Sequence, residues 1–306
     1  MNLDAFYNPP ETDKMPGLAC IGVCRVAHEE KSYDTLPVTW AGRLYYYAFH
    51  KPASHTHLNI HAVFGKQLSD KQKKRLIMAF YSHQLTLLKE FFISWLWGVK
   101  RLKKRVDMAG LEHLLDAVEK KKGVLLLTGH FGNWELTAPL GFNMLPIPNP
   151  MYAIRKSLKV TWAEKLFFGR YQKYGISVIH KDNAISSITH ALKQQGLILF
   201  PFDQRVPEGS KEGLDSEFLG LPARSYKSLA VLAKRTGAPV VPISCHRVGK
   251  GKHRIEFYPA LHWQDAPEPA AAWLKNTACY NETLANILLR YPEQWIWSYN
   301  RWHISP

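Results

Sequence analysis

Cysteine and acidic side chains are both scarce in this chain. Four cysteines in 306 residues are too few for a disulfide scaffold. No signal peptide is visible, so a reducing, cytoplasmic setting is expected. Asp and Glu total 25 against 40 Lys and Arg, which leaves a net charge of +15. That charge predicts an anionic partner, which could be nucleic acid, an acidic lipid surface or an acidic carrier protein.

A long apolar run is also missing. The longest charge-free stretch, residues 136–154, contains four prolines, whereas a membrane span needs roughly 20 uninterrupted apolar residues. The sequence therefore does not indicate a transmembrane helix, and any membrane attachment is expected to be peripheral. Nucleic acid is a weaker candidate than lipid, because no helix-turn-helix, zinc or RNA-stacking motif is present.

Hydrophobic residues make up 46% of the chain, which is enough for a substantial core. Short apolar runs predict strands at Val124–Thr128, Ile176–Ile179, Leu197–Phe200, Val240–Ile243 and Arg254–Tyr258. Amphipathic stretches predict helices at Leu111–Lys121, Trp162–Tyr174, Ala184–Gln194, Ser225–Arg235 and Ala270–Leu289. This alternation predicts one α/β domain over 37–306, with a central, mostly parallel or mixed sheet flanked by helices. Residues 1–36 are predicted to be irregular.

A helical extension is predicted before the first strand. Its main helix opens at Ser69 and runs to about Trp97, with an aromatic-rich second half and basic clusters at both ends. Such a helix is typical of one lying in a membrane interface, although an ordinary core helix with a basic end fits equally well. His57 and His61 are four apart, but no carboxylate or cysteine lies nearby, so we expect a solvated helix face and no metal site.

The stretch from Thr128 to Glu135 carries the chemistry. Two glycines bracket His130 directly after a predicted strand, and Asn133 is a plausible N-cap for the helix that follows. A histidine in such a turn could act as a general base, with Glu135 hydrogen-bonded to one ring nitrogen. Residues five apart meet only if His130 precedes the helix. The alternative is a buried loop histidine and a glutamate that favours the helix dipole.

Six further segments accompany this motif in order. With it they are Val106–Glu112, Gly123–Glu135, Tyr152–Lys156, Phe200–Arg205, Phe218–Gly220, Thr236–Pro242 and Tyr291–Trp297. Together they resemble the late acyltransferases of lipid A biosynthesis, the lauroyl and myristoyl transferases. That family lies within the lysophospholipid and glycerol-phosphate acyltransferase superfamily, whose H-x4-D/E motif His130 and Glu135 match. The resemblance extends from about residue 69 to residue 302.

The resemblance implies transfer of a fatty acyl group from a thioester to a lipid hydroxyl. His130 and Glu135 would be catalytic, Arg155 would bind the acceptor or a phosphate, and Asp203 would orient an arginine or a sugar hydroxyl. Asn133, Gln204 and Arg205 complete the expected substrate-binding set. Acyl carrier protein or coenzyme A would carry the donor, with no further cofactor.

The expected location is the cytoplasmic face of the bacterial inner membrane. Two alternatives stay open at this point. One is an acyltransferase acting on a lysophospholipid or another lipid. The other is a non-enzymatic basic protein that binds membrane or nucleic acid.

Overall fold

A computed structural model describes residues 32–96, 99–155, 171–172, 174–180, 184–249 and 251–304. Within them the main sheet has seven strands: β1 (Val106–Ala109), β2 (Val124–Thr128), β3 (Met151–Arg155), β4 (Ile176–His180), β5 (Leu197–Pro201), β8 (Val240–Gly249) and β9 (Lys252–Phe257). Their order is β1-β9-β8-β2-β5-β3-β4, and only the β8–β9 pairing is antiparallel. The predicted mostly parallel α/β sheet is confirmed.

The helices pack around this sheet. They are α1 (Trp40–Phe49), α2 (His55–Phe64), α3 (Asp70–Leu96), α4 (Val99–Lys103), α5 (Leu111–Val118), α6 (Trp134–Phe142), α7 (Ala184–Lys193), α8 (Ser228–Thr236) and α9 (Pro269–Leu289). Most of the predicted Trp162–Tyr174 helix lies outside the described residues. So does nearly all of the segment 1–36.

Both faces of the sheet are buried, because helices cover each of them. Along β2, Leu125 and Leu127 join one apolar cluster while Val124 and Leu126 join the other. This is the expected burial of a parallel strand, whose alternate side chains point to opposite covered faces. The unbroken apolar run in the sequence therefore reports a central strand.

Four strands escaped the sequence analysis. They are β1 and β3 of the main sheet, and β6 (Gly213–Phe218) and β7 (Leu221–Tyr226) of a small antiparallel hairpin. Most hairpin residues are exposed or half-buried, with Phe218, Leu221 and Ser225 buried, and the hairpin mixes charges with apolar side chains. A polar hairpin at the protein surface lacks the apolar run that reveals a buried strand.

The long helix α3 begins as predicted. Ser69 and Gln72 form a reciprocal capping pair, in which the backbone N–H of each residue donates to the side chain of the other, at 3.0 and 3.3 Å.

Among the described residues, no helix combines the length and apolar character needed to cross a membrane. Cys245 is a buried free thiol.

Candidate active site

The site is built at the carboxyl ends of three adjacent strands. β2 pairs with β5 so that Thr128 lies opposite Pro201, and the Phe202 N–H donates to the Thr128 carbonyl at 2.8 Å. The chain segments that follow therefore leave the sheet side by side, which brings His130 to Asp203. Arg155 ends β3, the next strand along. Ligands bind at this edge in open α/β sheets.

A short contact joins His130 to Asp203. The two are 2.8 Å apart between Nδ1 and Oδ1, and the His130 backbone N–H donates to Oδ2 at 2.7 Å. An ionised carboxylate only accepts hydrogen bonds, so Nδ1 carries the proton and Nε2 is the basic nitrogen. Nε2 is the ring atom that a substrate hydroxyl could use.

Asp203 is 1% exposed, so its charge must be compensated inside the protein. Burial raises the pKa of this carboxyl, but the charge of His130 and the hydrogen bonds from His130 and Trp295 outweigh burial and lower it. The Trp295 indole N–H donates to Oδ2 at 3.0 Å. From the sequence, Trp295 was expected either to close the core or to sit at a membrane interface, and the structure buries it completely. Its position beside Phe131 in an isolated β-bridge cannot be predicted from sequence spacing.

The carboxylate that contacts the His130 ring is that of Asp203, where Glu135 was expected. The motif spacing predicted that Glu135 would hydrogen-bond a ring nitrogen of His130, whereas the carboxylate on Nδ1 belongs to the neighbouring strand end. Sequence spacing cannot reveal a partner 73 residues away that arrives through strand pairing. The role predicted for Asp203, orientation of an arginine or sugar, is corrected accordingly.

Glu135 stands in the first turn of α6, within electrostatic reach of His130. Its oxygens accept from the Trp134 indole at 3.1 Å and the Tyr171 hydroxyl at 3.3 Å. Burial raises its pKa, although His130 and Arg155 oppose that rise. Burial likewise lowers the pKa of Arg155, and the Glu135 charge opposes the shift. Glu135 thus lies within electrostatic reach of both His130 and Arg155.

Three backbone N–H groups of the turn are hydrogen-bonded within the protein. The His130 N–H donates to Asp203, Phe131 N–H to the Gly129 carbonyl at 2.9 Å, and Gly132 N–H to the Gln294 carbonyl at 3.1 Å. Two side chains with N–H groups line the groove together with His130: Gln204, whose Nε2 is 3.4 Å from His130 Nε2, and Arg155.

A large groove opens from these residues, with a volume of about 1320 Å³. His130, Glu135, Arg155 and Gln204 all line it. Its walls also contain apolar side chains: Ile154, Ala184, Ile185, Ile188, Phe200 and Leu232. An apolar groove with a few convergent polar groups is the usual form of a ligand site, and this one exceeds the roughly 300–1,000 Å³ of most.

Two predicted substrate-binding residues lie elsewhere. Asn133 is buried, and its amide donates to Glu90 of α3 at 2.8 Å. Arg205 is half-buried, with its backbone N–H donating to the Tyr299 hydroxyl at 3.1 Å. Neither is among the residues that line the groove. Their contact with substrate stays a prediction.

His57 and His61 were predicted to lie on a solvated helix face, and the structure differs from this in detail. The two rings stack at 3.9 Å, and both are half-buried rather than freely solvated. Burial lowers the pKa of each. In the described part of the chain, no three His, Cys, Asp or Glu side chains come together as metal ligands.

The motif offers a histidine as a base and contains no serine or cysteine that could act as a nucleophile. Such a site suits direct transfer of an already activated group to an alcohol. Comparison with known proteins identifies the transferred group. Residues 37–304 match the family model for bacterial lipid A biosynthesis acyltransferases. The chain is therefore an acyltransferase by class, and it belongs to the bacterial lipid A biosynthesis acyltransferase family.

Individual relatives are distant but cover most of the chain. It is 25% identical over 263 residues to the lipid A biosynthesis lauroyltransferase of Escherichia coli K12. That alignment covers 82% of this chain and 78% of the relative. It is 24% identical over 253 residues to the palmitoleoyltransferase of the same organism, with 81% and 78% covered. A phosphatidylinositol mannoside acyltransferase of Mycobacterium tuberculosis is 22% identical over 202 residues, with 64% and 60% covered.

Proposed function

We propose that this enzyme transfers a fatty acyl group from a thioester donor to a hydroxyl of a lipid A precursor. The observation that carries the proposal is the Nδ1 contact between His130 and Asp203, which leaves Nε2 basic and directed at a large, partly apolar groove. The acceptor is taken from the family and from the printed names of the lipid A relatives.

His130 acts first, as general base. Nε2 takes the proton of the acceptor hydroxyl while the oxygen attacks the thioester carbonyl carbon. The imidazolium that results is stabilised by the Asp203 carboxylate. Collapse of the tetrahedral intermediate breaks the carbon–sulfur bond, and the thiolate takes the proton from Nε2. No covalent acyl-enzyme is needed, because the thioester is already activated.

The carbonyl oxygen becomes negative during this step and needs preorganised donors. Gln204 and Arg155 are the groups beside Nε2 that can supply them. Glu135 holds a compensating charge near both Arg155 and His130. In this mechanism Glu135 positions the cationic groups, and Asp203 holds the imidazole.

Attachment to the membrane surface is the second part of the proposal. Four large apolar or aromatic side chains of α1 are exposed to solvent: Trp40 at 79%, Leu44 at 60%, Tyr47 at 67% and Phe49 at 66%. Of the aromatic-rich part of α3, Leu88 and Phe92 are exposed, whereas Leu85, Leu87, Phe91 and Ile93 are half-buried. Trp97 lies outside the described residues, and the interfacial position of α3 stays a prediction.

The charge around α1 fits the cytoplasmic face of the inner membrane. Neither α1 nor α2 contains an acidic residue, and Arg43, Lys51 and Lys71 are exposed nearby in the chain. Aromatic side chains with flanking cations are typical of a helix that lies at an anionic bilayer surface. The same positive charge would attract an acidic acyl carrier protein, which we propose as the donor in preference to coenzyme A.

A donor and acceptor panel tests the proposal. Purified enzyme is incubated with labelled acyl-carrier protein or acyl-coenzyme A, and with a lipid A precursor or a lysophospholipid. We expect transfer to the lipid A precursor and its loss, by about a thousandfold, in His130→Ala. If the enzyme transfers the acyl group only to the lysophospholipid, then the lysophospholipid and not the lipid A precursor is the acceptor. Liposome binding with no transfer to any acceptor would favour the non-enzymatic alternative.

A further inference from the structure

The groove runs away from His130 between two helices. α7 contributes lining residues from its first turn, at Ala184, to its last, at Lys193, and α8 does so from Ser228 to Arg235. Each helix leads into a strand parallel to β2, namely β5 and β8. Both helices therefore start at the edge of the sheet that holds His130 and end at the opposite edge.

The character of the groove changes along this path. Its middle is lined by Ile188 and Leu232, whereas Lys193 and Arg235 stand at the far end. Ser228 and Arg235 are seven residues apart on one helix, which corresponds to about 10 Å. A ligand that fills the groove thus has its reacting end at the imidazole and meets two cations at the other end.

No ion pair engages these two cations within the described part of the chain. Among the described residues, neither Lys193 nor Arg235 forms an ion pair within 4.0 Å. The adjacent Lys234 shows the contrast, because it pairs with Asp265 at 2.7 Å on the far side of α8. Basic residues in the last turn of a helix interact favourably with the helix dipole. The dipole alone does not explain why the basic residues of two helices line the same groove.

We propose that Lys193 and Arg235 bind a phosphate group of a substrate whose reacting end lies at His130. The inference rests on the proposed function, since it assumes that the groove holds an acyl donor or a lipid acceptor. Two sources share this chemistry. One is the phosphate that ends the pantetheine arm of a thioester donor, and the other is a phosphate on the acceptor sugar. Guanidinium and ammonium groups bind either one.

Matched substrates test the site. Lys193→Gln, Arg235→Gln and the double variant are compared with wild type, using acyl-phosphopantetheine and acyl-pantetheine, which differ only in the phosphate. Exposed charge pairs contribute up to about 1 kcal/mol each, so the double variant should raise KM for the phosphorylated donor about tenfold. KM for acyl-pantetheine, and kcat with either donor, should stay within about twofold of wild type.

The acceptor arm separates the two sources. If the site holds the acceptor, the double variant raises KM for a phosphorylated lipid A precursor and not for its dephosphorylated form, while both donors behave as in wild type. Lys120→Gln, an exposed lysine outside the groove, controls for general loss of positive charge.

Two results overturn the inference. One is a double variant with wild-type constants for every substrate, and the other is an equal loss with and without the phosphate. Failure of the proposed function looks different, because wild-type enzyme would then transfer no acyl group from any donor.

Discussion

Asp203 and Glu135 are two carboxylates near one imidazole, the first fully buried and the second half-buried, and their surroundings shift their pKa values in opposite directions. Asp203 receives three hydrogen bonds, two from His130 and one from Trp295, and its pKa falls despite burial. Glu135 receives two, from Trp134 and Tyr171, and burial prevails, so that its pKa rises. Environments that shift the pKa values of two neighbouring carboxylates in opposite directions usually indicate separate roles in catalysis.

Asp203→Asn tests the role of the first carboxylate. The amide keeps the size but no longer stabilises the imidazolium, so kcat should fall at least about a hundredfold. Residual activity should extend to lower pH than in wild type, because the imidazole gives up its proton more readily without a neighbouring negative charge. The measurement is acyl transfer against pH, with Asp265→Asn as a surface control. An unchanged pH profile would show that Asp203 only supports the fold.

Glu135→Gln should separate stability from activity. Because burial raises the pKa of Glu135, folding costs free energy wherever this group is ionised in the folded state. That cost is absent below the ordinary pKa near 4.5 and is complete above the raised folded value. The variant should therefore melt at a higher temperature than wild type near pH 8, with the difference shrinking as pH falls to 4.5.

Transfer by the same variant should fall about a hundredfold, since the charge beside Arg155 and His130 is gone. Glu119→Gln, an exposed carboxylate at the end of α5, should change neither property. A lower melting temperature for Glu135→Gln at pH 8 would mean that the ionised carboxylate stabilises the protein.

At the scale of elements, buried strands could be predicted and their neighbours could not. Val124–Thr128 and Leu197–Pro201 are apolar along their length because both faces are covered, and the sequence predicts each almost to the residue. That β2 and β5 are adjacent is a matter of pairing order, which no local pattern contains. The His130 motif was therefore predictable, whereas its pairing with Asp203 was not.

The turn between β2 and α6 has its own requirement. Gly132 adopts φ +61°, and a Cβ at this position would overlap the Cys245 carbonyl oxygen of β8. Gly209 has a similar φ of +73° with open space around it. The two glycines thus share a backbone conformation that disfavours other residues and differ only in the approach of a neighbouring strand.

Gly132→Ala and Gly209→Ala therefore form a matched pair. Left-handed backbone should cost each variant about 1 kcal/mol of unfolding free energy. Overlap with Cys245 should cost Gly132→Ala about 2 kcal/mol more and should reduce transfer, because the turn carries His130. Urea unfolding measures the difference. Equal losses in the two variants would show that β8 yields to the added methyl group.

At the scale of the whole molecule, the net charge of +15 indicated an anionic partner without saying where it binds. We propose two places for such partners, the α1 surface with its aromatic side chains and the far end of the groove with Lys193 and Arg235. Composition cannot suggest this division, because it depends on which cations lie beside apolar side chains and which line the groove.

Membrane binding through α1 is the prediction that belongs to this scale. Trp40, Leu44 and Tyr47 are spaced by four and three residues, so they share one face of the helix. Insertion of such side chains into the headgroup region buries apolar area, at about 1.5–3 kcal/mol for a fully buried large side chain. A Trp40→Gln, Leu44→Gln double variant should therefore bind vesicles containing phosphatidylglycerol at least about tenfold more weakly than wild type.

Sedimentation with such vesicles measures the loss, and Leu274→Gln, at an exposed apolar position on α9, is the matched control. Added salt should weaken binding of wild type and double variant alike, because the cations around α1 remain. Transfer to a water-soluble acceptor should be unaffected, since α1 does not line the groove. If the double variant binds vesicles as tightly as Leu274→Gln does, α1 is not the membrane-facing surface, and its aromatic side chains must serve another contact.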